Sequence, residues 1–310
     1  MRFLFLAAPA LLLAACASLR PAAPSALAEA KALFAAQRYA EAAARLTDVE
    51  IHKLGSREEA RAYELRGEAE ERLRRPDEAL RTYQTGVALF PRDLNLLTNL
   101  GDLLHHNGLD DQARPFYERV LSIHPNNAAS HLGLAEAERK LGFLDRAAAH
   151  YEATLVIQGD QADLWRDYAE VLMESRRLPQ ALEAISRSLA LRQEPAACVV
   201  EARVLWKLGR KADAYAALAR AERMTGARAD LKLQRGLWRL ESGELDLAAA
   251  DAAAALKLDA SDPLGLWLRA SVSLRRGRIL DARKDLERAV RQRGAPFVAA
   301  AAGVMLKQLP

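Results

Sequence analysis

Six histidines, two cysteines and 41 carboxylates are the groups in this 310-residue chain that could hold a metal or move a proton. His105 and His106 form the tightest pair, but neighbours on a helix diverge by about 100° and make poor joint ligands. His131 and His150 have no third ligand in view. Carboxylate pairs such as Glu136/Glu138 and Asp110/Asp111 sit among many other charges and read as solvated helix surface. Cys198 has no histidine near it in sequence, so it reads as buried core and not as a nucleophile. No GxSxG, HExxH, CxxC, GxGxxG or Walker-type phosphate loop occurs. The chain is therefore expected to be no enzyme, with no catalytic residue, no metal and no cofactor.

The elements that would carry these residues are helices. Ala, Leu, Arg and Glu abound and β-branched runs are scarce, while 51% hydrophobic and 28% charged residues exclude disorder. The net charge is only +4 and no block of five like charges occurs, so nucleic acid is not an expected partner. A period emerges on sliding the sequence along itself. Small residues fall at Ala30, Gly67, Gly101, Ala135, Ala169, Ala202, Gly236 and Ala270. A second series falls at Ala42, Ala79, Ala113, Ala147, Ala181, Ala214, Ala248 and Ala282. Spacings in both series are 37, 34, 34, 34, 33, 34 and 34. Rarer marks keep the same beat: Gly108, Gly142, Gly209, Gly243 and Gly277 precede their alanines by five residues. Tyr83, Tyr117 and Tyr151 follow theirs by four, and Pro91 and Pro125 close two repeats.

Residues 94–127, with Leu97, Leu100-Gly101, Leu104, Gly108, Ala113, Tyr117, Val120 and Pro125, resemble the tetratricopeptide repeat (TPR). The resemblance covers residues 26–294 as eight repeats. It implies an all-α, right-handed α-solenoid of about eight helix pairs, closed by a C-terminal capping helix over 295–310. Departures are local. Gln37 replaces the first turn glycine, and three extra residues follow the first repeat near His52–Ser56. Arg176 and Leu178 occupy the fifth turn. Lys232, Arg235 and Arg239 fall where repeat seven should be apolar, which suggests a first helix that is rotated or shifted by one residue.

Ahead of the repeats, Met1–Arg2 and the apolar run Phe3–Leu13 have the length of a signal-peptide core and are too short to span a bilayer. Leu13-Ala14-Ala15-Cys16 resembles the lipobox of bacterial lipoproteins. The resemblance implies a signal peptide over 1–15, cleavage after Ala15, and acyl chains on Cys16 anchoring a short tether over 16–25 to a membrane. Ala17, where an Asp usually retains such proteins at the inner membrane, implies an outer-membrane anchor facing the periplasm.

In this family the first helix of each repeat lines the concave surface. That register makes Arg61, Asn99, His105, His106, Arg139, Lys140, Arg166, Asp167, Arg203, Trp206, Lys207 and Trp267 the candidate partner-binding residues. The regular Lys/Asn clamp for an acidic C-terminus is missing. What the resemblance implies is a non-enzymatic scaffold for protein partners in the cell envelope. It is similar to lipoproteins that assemble Tad or type IV pili or secretion systems. Adaptors for peptidoglycan hydrolases and synthases, and exopolysaccharide export scaffolds, share the architecture.

Overall fold

The computed structural model describes residues 24–292 and 294–309, and every regular element among them is an α-helix. Cys16, Ala15 and the rest of the leader lie outside the described residues. The chain divides into two compact units, residues 1–142 and 143–310.

The first unit holds α1 (Ala26–Ala35), α2 (Tyr39–Arg45), α3 (Asp48–Ile51), α4 (Ser56–Arg72), α5 (Pro76–Leu89), α6 (Leu94–His106), α7 (Asp110–Ile123) and α8 (Ala128–Lys140). The second holds α9 (Leu144–Gln158), α10 (Ala162–Glu174), α11 (Leu178–Leu191), α12 (Pro195–Lys207), α13 (Lys211–Thr225), α14 (Ala229–Glu241), α15 (Leu245–Leu258), α16 (Pro263–Arg275), α17 (Ile279–Val290) and α18 (Pro296–Lys307). In each unit, helices joined by tight turns pack as antiparallel hairpins, and each hairpin stacks on the next.

Small residues decide how closely the hairpins close. The alanines of both periodic series are buried without measurable exposure. At Gly67 and Gly101 the space is taken by the tyrosine wedge, and at Gly236 by Leu268. A Cβ added at Gly101 would lie 2.8 Å from the Tyr117 ring, and one at Gly133 on the next first helix only 2.5 Å from it. Tyr117 thus locks two first helices together, and at the same step of the period Leu46, Tyr83, Ile185, Leu218 and Leu286 are equally buried.

All the turns use one backbone geometry. The residue five before each alanine has positive φ: Gly108, Gly142, Gly209, Gly243 and Gly277, but also Gln37 (61°), Arg74 (58°) and Arg176 (63°). The hairpin imposes the left-handed turn even where no glycine eases it.

Repeat one is cut short. Its second helix α2 has seven residues, because Thr47 accepts from the Glu50 N–H and starts the separate turn α3, which carries the buried Ile51.

The shift suggested for repeat seven does not occur. Helix α14 has thirteen residues, as do α12 and α16, and Gly236 keeps its place against Leu268. The basic side chains are absorbed by ion pairs. Lys232 and Arg235 reach Glu222 at 2.6 and 3.0 Å, and Arg235 and Arg239 both reach the buried Asp251 at 2.7 Å.

Helix α18 lies on α17 and α16, where Ala302, Met305, Leu306 and Leu309 cover the apolar side of the last hairpin.

Candidate partner-binding surface

In the first unit, α6 brings His105 and His106 to its C-terminal end with different fates. His105 is buried: Nδ1 meets Asp110 at 2.5 Å and Nε2 meets Glu136 on α8 at 3.2 Å, with the Lys140 ammonium 3.4 Å from Nε2. The Glu136 contact, with Asp110 behind it, raises the imidazole pKa, and the same contact lowers that of Glu136. His105 is a polar tie between turn and neighbouring helix, not an exposed gripping residue. His106 is exposed and donates from Nδ1 to the Asp102 carbonyl at 2.6 Å. Asn99 and Arg139 are half-buried and Lys140 is exposed.

Arg61 lines a cavity of about 640 Å³ between the start of α4 and the linker into α6, with Arg57, Glu64, Arg92 and Asn95. Burial, and then the charge of Asp93, push the Glu64 carboxyl up to about 7, while Asn95 donates to it at 3.3 Å.

In the second unit, Arg166 is the centre of an ion-pair web. It contacts Asp163 at 2.8 Å, Asp167 at 3.1 Å and Glu194 at 2.7 Å, and Arg192 bridges Asp163 and Glu194 from the linker after α11. Arg166 and Asp167 therefore engage each other and stiffen the α10–α12 junction.

Arg203, Trp206 and Lys207 line one bay of about 490 Å³ together with Gln234, Trp238 and Glu241 of α14. The Trp206 and Trp238 rings stack at 4.7 Å with planes 5° apart, Trp206 Nε1 donates to Glu241 at 3.3 Å, and the Lys211 ammonium stands 5.1 Å from the Trp206 centroid. Sequence reasoning missed Trp238 and Glu241 as lining residues, although a signal exists. Two residues after the small mark, other first helices carry Leu103, Ala137, Val171, Val204 and Val272, all buried, and Trp238 is the one aromatic at that step. Its ring overfills the core position and supports the face of Trp206.

Trp267 goes elsewhere. It packs against the apolar clusters of α14–α16 and of α16–α18, with Nε1 buried and without a hydrogen-bond partner.

Among the described residues no group of three His, Cys, Asp or Glu could hold a metal, and no helix is long and apolar enough to cross a membrane. Cys198 is a free, fully buried thiol.

The tetratricopeptide repeat family profile matches residues 27–93, 69–128 and 132–196, just over half of the chain. Tetratricopeptide repeat protein 8 of Caenorhabditis elegans is 25% identical over 126 residues, 41% of this chain and 25% of that protein. Human tetratricopeptide repeat protein 7B is 28% identical over 117 residues, 38% of this chain and 14% of that protein. The chain thus spans a quarter or less of these curated relatives. Among solved structures, a tetratricopeptide repeat protein from Parabacteroides merdae superposes with a TM-score of 0.67 at 16% identity, over 80% of this chain and 97% of that one. PilW, described as a widely conserved type IV pilus biogenesis factor, gives 0.57 at 18% identity over 67% and 97%. Pseudomonas aeruginosa pilF gives 0.52 at 15% identity over 68% and 97%.

Proposed function

Because this chain belongs to the tetratricopeptide repeat family, whose fold generally serves as a non-catalytic scaffold that binds protein partners, we propose that it is a lipid-anchored scaffold of the bacterial envelope. In this reading Cys16 carries the acyl chains at the outer membrane. The repeats face the periplasm and hold a partner during assembly of a machine such as a Tad or type IV pilus or a secretion system. The observation that carries it is the lipobox-like Leu13-Ala14-Ala15-Cys16 standing directly before the repeats. PilW and pilF, with the same fold over two thirds of this chain, favour a pilus over the other envelope systems.

The gripping surface in this reading is the bay of Arg203, Trp206 and Lys207. A flat indole held by a second indole, beside exposed cations, is the kind of rigid amphipathic anchor that carries binding energy.

Mass spectrometry of the mature N-terminus tests the anchor; an uncleaved leader or an unmodified Cys16 would refute it. Photo-crosslinking in cells from positions 206, 139 and 61 tests the machine. Capture of pilus or secretin components is the expected result. Capture of wall hydrolases or synthases would make the chain their adaptor and overturn the pilus reading.

A further inference from the structure

The seam between consecutive second helices is lined differently along the second unit. In repeats seven and eight the residue before the small mark pairs with a buried carboxylate three after the alanine, Arg235 with Asp251 and Arg269 with Asp285, each at 2.7 Å. In repeat eight that pair lines a groove of about 420 Å³ between α15 and α17. In repeat five the same two positions hold Tyr168 and the small Ala184, and the seam opens into a groove of about 450 Å³ between α9 and α11.

The floor of that groove is apolar. Trp165 and Tyr168 stand 6.1 Å apart by ring centroids over the buried Leu155 and Leu172, and Val156 at the rim is 81% exposed. Val156 carries the apolar floor out to the rim.

The rim is acidic. Glu152, Asp160 and Glu183 line it against one cation, Arg187, whose guanidinium lies 4.8 Å over the Trp165 ring and contacts Glu183 at 3.1 Å. Asp160 accepts from Trp165 Nε1 at 3.0 Å, while Glu152 has no ion-pair or hydrogen-bond partner among the described residues. At the matching seam of repeat eight the rim carries three cations, Arg276, Arg278 and Lys284, beside Asp281. The groove of repeat five thus has an aromatic floor where that of repeat eight is lined by an ion pair, and its rim is acidic in a chain whose net charge is +4.

We propose that the α9–α11 groove docks a basic amphipathic segment of a partner protein, an apolar side chain entering over Tyr168 beside Val156 and a lysine or arginine meeting Glu152 and Glu183. The lining comes from α9, α10 and α11, whereas the Trp206 bay is built on α12 and α14, so the groove is a second surface with its own ligand chemistry.

The test is fluorescence anisotropy on the full chain with two labelled helical peptides, one of leucine and lysine and its counterpart of leucine and glutamate. Bulk attraction to a chain of charge +4 favours the glutamate peptide, so the opposite preference must come from a local surface. The lysine peptide is expected to bind about tenfold more tightly. Val156→Asp removes that binding and Glu152→Lys with Glu183→Lys reverses the preference, at unchanged melting temperature. Trp206→Ala leaves it intact, which separates this groove from the bay of the preceding proposal. Equal binding of both peptides overturns the inference, as does loss with Trp206→Ala and not with Val156→Asp. Sedimentation showing self-association that Val156→Asp abolishes would also overturn it, because the occupant would then be a second copy.

Discussion

Three single positions show how far the hairpin dictates to its residues. A side chain in the left-handed region costs about 1–2 kcal/mol, while glycine's greater freedom in the unfolded chain takes back about 0.5–1 kcal/mol. Gln37→Gly, Arg74→Gly and Arg176→Gly should each stabilise the fold by about 0.5–1 kcal/mol, read as higher denaturant midpoints at constant slope. Midpoints that fall would mean these side chains contribute contacts worth more than the strain they bear.

His105 makes a pH prediction. Its pKa is raised by Glu136 and Asp110, so its contribution is complete below the ordinary imidazole value near 6.5 and is lost as pH rises through the higher folded value. Glu136, lowered by the same contact, loses its contribution only as pH falls through its depressed folded value. Lys140 faces both and opposes the imidazolium. The stability advantage of the natural chain over His105→Gln should therefore peak in mildly acidic solution and shrink above neutrality; thermal melts of both proteins across pH 5–9 measure it. An advantage that grows toward pH 9 would contradict the pair.

Between elements, the coupled positions before the small mark and three after the alanine act as one unit. They hold Leu100 with Phe116 in repeat three, Tyr168 with Ala184 in repeat five, and Arg269 with Asp285 in repeat eight. Repeat one carries the reverse order of charge, with Arg45 donating to Glu29. Removing one partner strands the other in a seam where Asp285 is only 7% exposed. Arg269→Leu alone should cost about 2 kcal/mol, less than a fully buried charge would because Arg269 reaches solvent. Arg269→Leu with Asp285→Phe, copying repeat three, should recover most of that loss, since a packed apolar pair replaces a buried ionic one at little net cost. A double-mutant cycle by chemical denaturation gives the coupling; additive single losses would show that the seam does not couple them.

At the scale of the molecule, stability in a repeat array is a sum of units and the interfaces between neighbours, so an end needs a cover. Deleting residues 296–310 bares the side of the last hairpin that Ala302, Met305, Leu306 and Leu309 close. The truncated chain should melt lower and aggregate more readily, by calorimetry and light scattering. Unchanged melting and monomeric behaviour would remove α18 from the stability of the fold.

Most of the fold was legible because the repeat is local. Small marks, turn positions and wedge residues recur every 34 residues, and each hairpin meets only its neighbours, so a one-dimensional pattern specifies which helices pair. The binding surfaces were legible only in outline. Arg203, Trp206 and Lys207 read as one face of one helix and do share a bay, but Trp238 enters it through an overfilled core position that periodicity assigns to packing. His105 reads as surface and is buried, because the acids that hold it come from the start of α7 and from α8. Lys232, Arg235 and Arg239 look like a broken register until Glu222 and Asp251 meet them across two helices. Sequence by itself determined the helices, their hairpins and their order, since those follow from residue type at fixed spacing. Which charges neutralise each other, which rings stack and which seam has an aromatic floor were decided only by the tertiary structure, because each depends on side chains from separate helices arriving at one place.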